Sequence, residues 1–162
     1  MTDSITAHGV AVGIPRGWEA ELGVLESETI PPAPGELAVQ SATEPMVLLH
    51  LANFPLPADR GDYGSGAVEI MDSGSILIVL GEFDRASAGT ALFAAEGMPR
   101  ELSVDDFDPS GLQRPQFNRT ATQHFFHVGD RAFCLYVVLG SHRARSLLVP
   151  EVNRLLATID IA

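Results

Sequence analysis

The 162-residue sequence predicts a single α+β domain (residues 1–162) built on a mainly antiparallel β-sheet. Residues 119–140 contain a first arm over residues 120–128, a Gly-Asp turn and a nearly all-apolar second arm over residues 132–139, which is typical of a C-terminal β-hairpin. The runs 46–51 and 76–80 are apolar at nearly every position, as in strands that are covered on both faces. Residues 148–159 carry apolar side chains at helical spacing, which predicts a C-terminal amphipathic helix packed on the sheet.

The N-terminal part of the chain predicts a second hairpin and a long loop. Residues 8–15 alternate loosely between apolar and polar positions, and after an Arg-Gly turn residues 18–25 return as a second strand. Residues 26–45 are rich in Pro, Glu, Ser and Thr, which predicts a long Pro-rich surface loop. A loop of this kind is either an exposed connection or a contact surface for a partner.

Two shorter helical segments are predicted between the apolar strands. Residues 53–66 form a proline-bearing loop that leads into one or two helical turns over residues 67–71. Asp84 is a candidate N-cap for a helix over residues 86–96, which Gly97 would end. These helices are too few to supply the crossovers of a doubly wound parallel sheet, so the sheet is expected to be antiparallel.

The charge of the chain is negative and unevenly distributed. The net charge is −11, and all ten basic residues are arginines. The absence of lysine excludes a Schiff-base lysine and the lysine of a phosphate-binding P-loop. Residues 1–110 contain 18 acidic and 4 basic side chains, whereas residues 111–162 contain 3 acidic and 6 basic ones. We therefore expect no binding to nucleic acid or to anionic membranes, and only the C-terminal third is suited to attract an anion.

The sequence also indicates the compartment. Cys134 is the single cysteine, so an internal disulfide is excluded and a reducing environment is the simplest expectation. No apolar run approaches the roughly 20 residues needed to cross a bilayer. The first residues lack the basic and apolar regions of a signal peptide. A cytoplasmic protein is predicted.

One basic cluster stands out in this acidic chain. His142, Arg143 and Arg145 lie just before the predicted C-terminal helix, where they could hold a carboxylate or a phosphate. The alternative is a solvated loop that balances nearby acids. His50, inside an apolar strand, and Tyr63, in a loop, are candidates to line a pocket with these arginines. His50 could equally be a hydrogen-bonded histidine of the core.

The residues that usually form catalytic or metal sites do not occur here in a suitable arrangement. His124 and His127 are three positions apart on a predicted strand, so their side chains point to opposite faces. Residues 106–111 imitate the start of a calcium-binding loop, but Phe117 stands where the bidentate glutamate is required. Cys134 lies in the middle of an apolar strand, where a thiol is usually unreactive. No cofactor and no metal site are predicted.

Two short stretches resemble a known family. The N-terminal GIPRGW is similar to the P-x-G-W entry of the PsbP/Mog1-like α+β proteins, and the C-terminal strand and helix ending in LLATIDI resemble that family's last element. The segments ANFPLP, DYGSGAVE and FCLYVVLGS, with the C-terminal helix, also resemble small proteins of unknown function from high-GC actinobacteria. The first resemblance implies a mostly non-enzymatic accessory or binding protein, and neither resemblance implies any functional residue.

Two functions remain open at this level. The first is a non-catalytic cytoplasmic domain that binds another protein, with self-association through an edge of the sheet as one form of it. Its contacts would be made by the 26–45 loop, the 54–66 loop and the acidic surface. The second is a small-ligand-binding protein or enzyme with an anion site near residues 142–145. The absence of a catalytic motif favours the first.

Overall fold

The computed structural model describes residues 3–25, 46–59 and 64–162. The predicted 26–45 loop and Tyr63 lie outside these residues. The described strands are β1 (Asp3–Ala7), β2 (Val10–Ile14), β3 (Glu19–Leu25), β4 (Met46–Ala52), β5 (Ile76–Phe83), β6 (Thr120–Val128), β7 (Arg131–Leu139) and β8 (Asp160–Ile161). The described α-helices are α1 (Ser65–Glu69) and α2 (Arg145–Leu156). Short 3₁₀-helices cover Arg85–Gly89, Ala91–Phe93, Val104–Asp106 and Pro109–Gly111. The α+β class is confirmed.

The strands form two antiparallel sheets. The larger sheet has the order β3-β4-β5-β7-β6, and the smaller sheet has the order β1-β2-β8. β6 and β7 form the predicted C-terminal hairpin, in a register that runs from Thr120 opposite Leu139 to Val128 opposite Arg131. The outer edge of β6 is covered at both ends, by bridges from Glu96 to His127 and from Asp108 to Ala121.

Both faces of the large sheet are buried, because its central strands are apolar at successive positions. One face packs on α2 and on β2 of the small sheet; its buried residues include Val12, Leu49, Leu51, Ile78, Leu80, Leu135, Val152 and Leu156. The opposite face packs on the α1 segment; its buried residues include Ala67, Val68, Met71, Leu77, Val79, Tyr136 and Val138. Each large apolar side chain that is buried in this way stabilises the fold by about 1.5–3 kcal/mol.

A buried ion pair joins the two sheets. The Arg131 guanidinium donates from Nε and Nη2 to the Glu82 carboxylate at 2.8 and 3.0 Å. It also donates to the carbonyl oxygens of His8, in the β1–β2 turn, and of Ala162, next to β8. The second carboxylate oxygen of Glu82 accepts from the Val47 N–H at 3.0 Å. One arginine therefore fixes the small sheet against β5 and β7.

The N-terminal hairpin is present, but its strands differ from the predicted segments 8–15 and 18–25. The hairpin consists of β1 and β2, and β3 pairs with β4 of the other sheet. His8 and Gly9 have φ values of 52° and 75°, so the chain reverses within two residues at a turn that requires positive φ. β2 therefore pairs with β1, which precedes it in the chain, and β3 pairs with β4 in the large sheet.

The predicted helix over residues 86–96 is wrong. Asp84 does cap a helical turn, because its side chain accepts from the Ser87 N–H at 3.0 Å. The turn is a 3₁₀-helix that ends at Gly89 and is followed by Thr90, whose φ of −90° and ψ of 160° are extended. A β-branched threonine that follows glycine disfavours continuation of a helix.

The C-terminal helix is confirmed, with different ends from the predicted 148–159. It begins at Arg145 and ends at Leu156, and Ile159 is buried in the turn beyond it. In the part of the chain that the structure describes, no helix is both long and apolar enough to cross a membrane.

Candidate functional site

A cleft of about 490 Å³ lies at the open end of the hairpin formed by β6 and β7. Residues 116–119, which lead into β6, line it together with residues 141–143, which follow β7, and with Pro109. Its volume is within the range of about 300–1,000 Å³ that is usual for small-molecule sites. The cleft brings together two segments that are more than twenty positions apart in the sequence.

The two lining segments are held by backbone contacts. The His142 N–H donates to the Asn118 carbonyl oxygen at 2.7 Å, which links one segment to the other. Asn118 has a φ of 65°, in the left-handed region that asparagine tolerates better than most residues. Gly140 packs so closely on the turn at Asp72 that a Cβ atom would overlap the Asp72 carbonyl group. These constraints fix where residues 141–143 leave the sheet.

Arg119 is the best-anchored cation of the cleft. Its Nη2 donates to the carbonyl oxygen of Met71, just beyond α1, at 2.6 Å and, more weakly, to that of Glu69, the last residue of α1, at 3.4 Å. Its Nη1 donates to the Phe117 carbonyl oxygen at 3.3 Å. Its Nε is buried and has no hydrogen-bond partner among the described residues. No described carboxylate forms an ion pair with Arg119, so no described acidic side chain neutralises its positive charge by direct contact.

His142 and Arg143, both predicted for an anion site, line the same cleft. His142 is half-buried, and its Nδ1 is a buried atom without a hydrogen-bond partner within the described ranges. Arg143 is exposed, and its guanidinium makes no ion pair with any described residue. A buried ring nitrogen without a partner costs free energy that a ligand atom could recover.

Arg145, the third predicted residue, has a different role. Its Nε donates to the His142 carbonyl oxygen at 2.8 Å, and its Nη1 donates to the carbonyl oxygens of Phe107 and Val104 at 3.2 and 3.4 Å. Arg145 does not line the cleft. It joins the segment before α2 to the 3₁₀-helix at Val104–Asp106, and thus helps to hold in place the segment that lines the cleft.

The two candidate pocket residues are not brought to this cleft. His50 is buried in β4, between Glu21 of β3 and Val79 of β5 in the strand ladder. It is not among the residues that line the cleft. Tyr63 lies outside the described residues, so the predicted pocket of His50, Tyr63 and the arginines has no counterpart among them.

The cleft is electropositive within an acidic protein. Two arginines and one histidine line it, and none of its lining residues has a carboxylate, although the chain contains 21 acidic residues. Asp108 is an acidic residue close enough to His142 to interact with it electrostatically. Hydrogen bonds from the Ser110 hydroxyl and N–H, and to a lesser degree His142 and Arg145, lower the pKa of Asp108. Asp108 is therefore ionised at neutral pH and partly offsets the positive charge.

Phe117 and Arg119 were not among the predicted site residues. Phe117 is 85% exposed and lines the cleft beside Asn118. The register of the hairpin is the signal that could have found both residues. Extending the pairing of Thr120 with Leu139 beyond the end of the ladder places residues 117–119 opposite residues 140–142.

Outside the cleft, the potentially reactive side chains of Cys134, His124 and His127 lie in surroundings that suit a structural role. Burial raises the pKa of the Cys134 thiol to about 11. His124 contacts the Thr122 hydroxyl at 3.0 Å, while His127 is half-buried and contacts the Phe93 carbonyl oxygen at 2.7 Å. Across the described ranges, no group of three or more His, Cys, Asp or Glu residues could hold a metal ion.

The cleft between residues 116–119 and 141–143 is therefore the candidate site, and its assignment rests on its own geometry. The chain has no significant match among protein-family models, curated proteins or solved structures.

Proposed function

We propose that this protein is a non-catalytic cytoplasmic binding domain that holds an anionic group in the cleft between residues 116–119 and 141–143. The observation that carries the proposal is the composition of the cleft. Its lining has two arginines, a histidine and no carboxylate, in a chain with a net charge of −11. A cation cluster whose lining contains no carboxylate is best explained by a negatively charged ligand.

The donors are positioned before the ligand arrives. Hydrogen bonds to carbonyl oxygens hold the Arg119 guanidinium, and the link from His142 to Asn118 holds the opposite wall. Preorganised donors lose little conformational entropy on binding. Two charge-assisted hydrogen bonds at about 1.5–3 kcal/mol each correspond to a dissociation constant on the order of 1 mM for a simple anion.

The absence of a catalytic arrangement among the described residues favours binding over reaction. Cys134 is a buried thiol with a raised pKa, and His124 and His127 contact different partners. The PsbP/Mog1-like resemblance agrees with a non-enzymatic role and remains part of the proposal. The alternative is an enzyme that uses the same anion site.

The test is a titration with sodium acetate followed by backbone amide NMR, against sodium chloride at equal ionic strength. We expect saturable shifts of the amides of residues 116–119 and 141–143 in acetate and none in chloride. Arg143→Gln should weaken acetate binding at least fivefold. Arg154→Gln is the matched control, because Arg154 is an exposed arginine of α2 that does not line the cleft. Equal affinity in both variants would contradict the proposal.

A further inference from the structure

We infer that the ligand of this cleft is an aromatic carboxylate, a single carboxylate group carried by a flat apolar body that lies against Phe117. The inference rests on the proposed function and specifies the class of ligand.

Phe117 provides the apolar contact. It is 85% exposed, the most exposed of the large apolar side chains in the described ranges. The other exposed large apolar residues do not line the cleft; they are Val24, Ile70, Leu92 and Leu147. A single exposed apolar residue is common on protein surfaces, but this one lies beside cations that have no ion-pair partner. A phenyl ring in this position suits the stacking of a second ring.

The backbone that carries Phe117 is fixed on both sides. Its own carbonyl oxygen accepts from Arg119, and Asn118 is held in the left-handed region with its carbonyl bonded to His142. The ring itself contacts no other aromatic ring of the described residues. The phenyl face is therefore presented at a defined place and remains available to a ligand.

The local charge fits one negative charge better than two. Arg119 and Arg143 are positive, and ionised Asp108 lies close enough to His142 to interact with it electrostatically. Asp108 offsets part of the positive charge, so a single carboxylate matches the cleft more closely than a dianionic phosphate, which would also meet stronger repulsion from a protein with a net charge of −11.

The test is calorimetric titration of the full chain with four probes. 2-Naphthoate carries the ring and the carboxylate, acetate carries only the carboxylate, and 2-naphthalenemethanol carries only the ring. 2-Naphthyl phosphate carries the ring and a dianion. We expect 2-naphthoate to bind at least tenfold more tightly than each of the other three.

Phe117→Ala separates the two contributions. Because the side chain is exposed, its truncation should leave the fold intact, which the thermal midpoint will verify. We expect the variant to lose most of the tenfold advantage that 2-naphthoate has over acetate. Leu92→Ala is the control for truncation of an exposed apolar side chain away from the cleft, and it should bind all four probes as the native chain does.

Each other result overturns a defined part of the argument. Equal affinities for acetate and 2-naphthoate, or an unchanged preference in Phe117→Ala, would overturn the aromatic ligand and leave the anion site standing. Tighter binding of the phosphate would overturn the carboxylate and also leave the anion site. Equal affinities for 2-naphthoate and its neutral alcohol, or no saturable binding of any probe, would overturn both the inference and the proposed function.

Discussion

The N–H of His142 donates to the carbonyl oxygen of Asn118 at 2.7 Å, beyond the last ladder pair of the β6–β7 hairpin. This bond continues the hairpin by one contact on residues that no longer belong to its strands. The two walls of the cleft are thus extensions of two paired strands, and their separation is set by the register of the sheet. A site carried by paired strands is more rigid than one formed by independent loops.

Replacement of Asn118 should separate backbone conformation from side-chain chemistry. Its φ of 65° costs an alanine about 1–2 kcal/mol, whereas glycine adopts this conformation freely. We expect Asn118→Ala to lower the free energy of unfolding by about 1 kcal/mol and to weaken acetate binding. Asn118→Gly should keep the native free energy of unfolding and the native affinity for acetate within experimental error. Urea unfolding and the acetate titration measure the two effects, and equal losses in both variants would assign the effect to the amide side chain.

Gly140→Ala should be among the most destabilising single substitutions of this chain. The added Cβ atom would overlap the Asp72 carbonyl group, so either the turn at Asp72 or the start of the 141–143 segment must move. We expect a loss of about 3 kcal/mol in the free energy of unfolding, measured by urea denaturation. Gly89→Ala is the control, since no atom lies within 4 Å of its added Cβ. Similar losses at the two positions would contradict the steric argument.

Two ion pairs, Arg131–Glu82 and Arg85–Asp130, should differ sharply in their contribution to the free energy of unfolding. Arg131 and Glu82 are 13% and 8% exposed, whereas Arg85 and Asp130 are 55% and 70% exposed. Removal of one member of a buried pair costs about 3–5 kcal/mol, and an exposed pair contributes about 0–1 kcal/mol.

We therefore expect Arg131→Met to lower the free energy of unfolding by several times as much as Arg85→Met. Chemical denaturation of both variants at one pH makes the comparison. Because Arg131 also donates to His8 and Ala162, faster amide exchange in β1 and β2 should accompany its loss. Unchanged exchange there would show that the small sheet is held without it.

The buried thiol predicts how stability depends on alkaline pH. Burial raises the pKa of Cys134 from 9.0 to about 11, so the unfolded chain loses this proton at a lower pH than the folded chain. The stabilising contribution is complete below pH 9 and disappears as the pH rises to 11; its size is about 3 kcal/mol. Cys134→Ala should show a shallower loss of stability across this range. In native protein at pH 8 the thiol should not react with a thiol reagent, and rapid modification would contradict its burial.

Much of the fold could be predicted because the apolar runs indicate one kind of element, a buried strand. Residues 76–80 and the second arm of the hairpin are apolar at both odd and even positions. Such a pattern fits a strand that is covered on both faces. The β1 strand was missed because Asp3–Ala7 is short and mixed, with an exposed or half-buried surface. The predicted helix over residues 86–96 is wrong because Thr90 adopts an extended conformation, which interrupts the helical backbone within the segment.

The candidate site could be predicted only in part. His142 and Arg143 were identified from local charge, which is visible in a linear sequence. Phe117 and Arg119 enter the cleft through long-range strand pairing, and their own neighbourhood in the sequence carries no such signal. Arg145 has the same chemistry as Arg143, and only the carbonyl groups around it decide that it supports the fold.

Self-association through a sheet edge stays a prediction. Among the described strands, β3 is the edge of the large sheet opposite β6, and the outer edge of β6 is covered by two bridges, so we propose β3 as the strand at which a second copy would pair. Val24 of β3 is 41% exposed, and Val24→Lys should convert a dimer to a monomer in light scattering. Leu92→Lys adds the same charge elsewhere and should not. A dimer that survives Val24→Lys would exclude this edge.

The order of strands in the large sheet has a consequence for synthesis in the cell. β5 pairs with β7, so its second edge stays open until the 56 residues from Asp84 to Leu139 have been translated. At roughly 5–20 residues per second, these residues take about 3–11 s. During that delay an apolar strand of the nascent chain offers an unpaired edge to other chains. The yield of this protein should therefore depend on translation speed and on chaperones that reach β5 before β7 does.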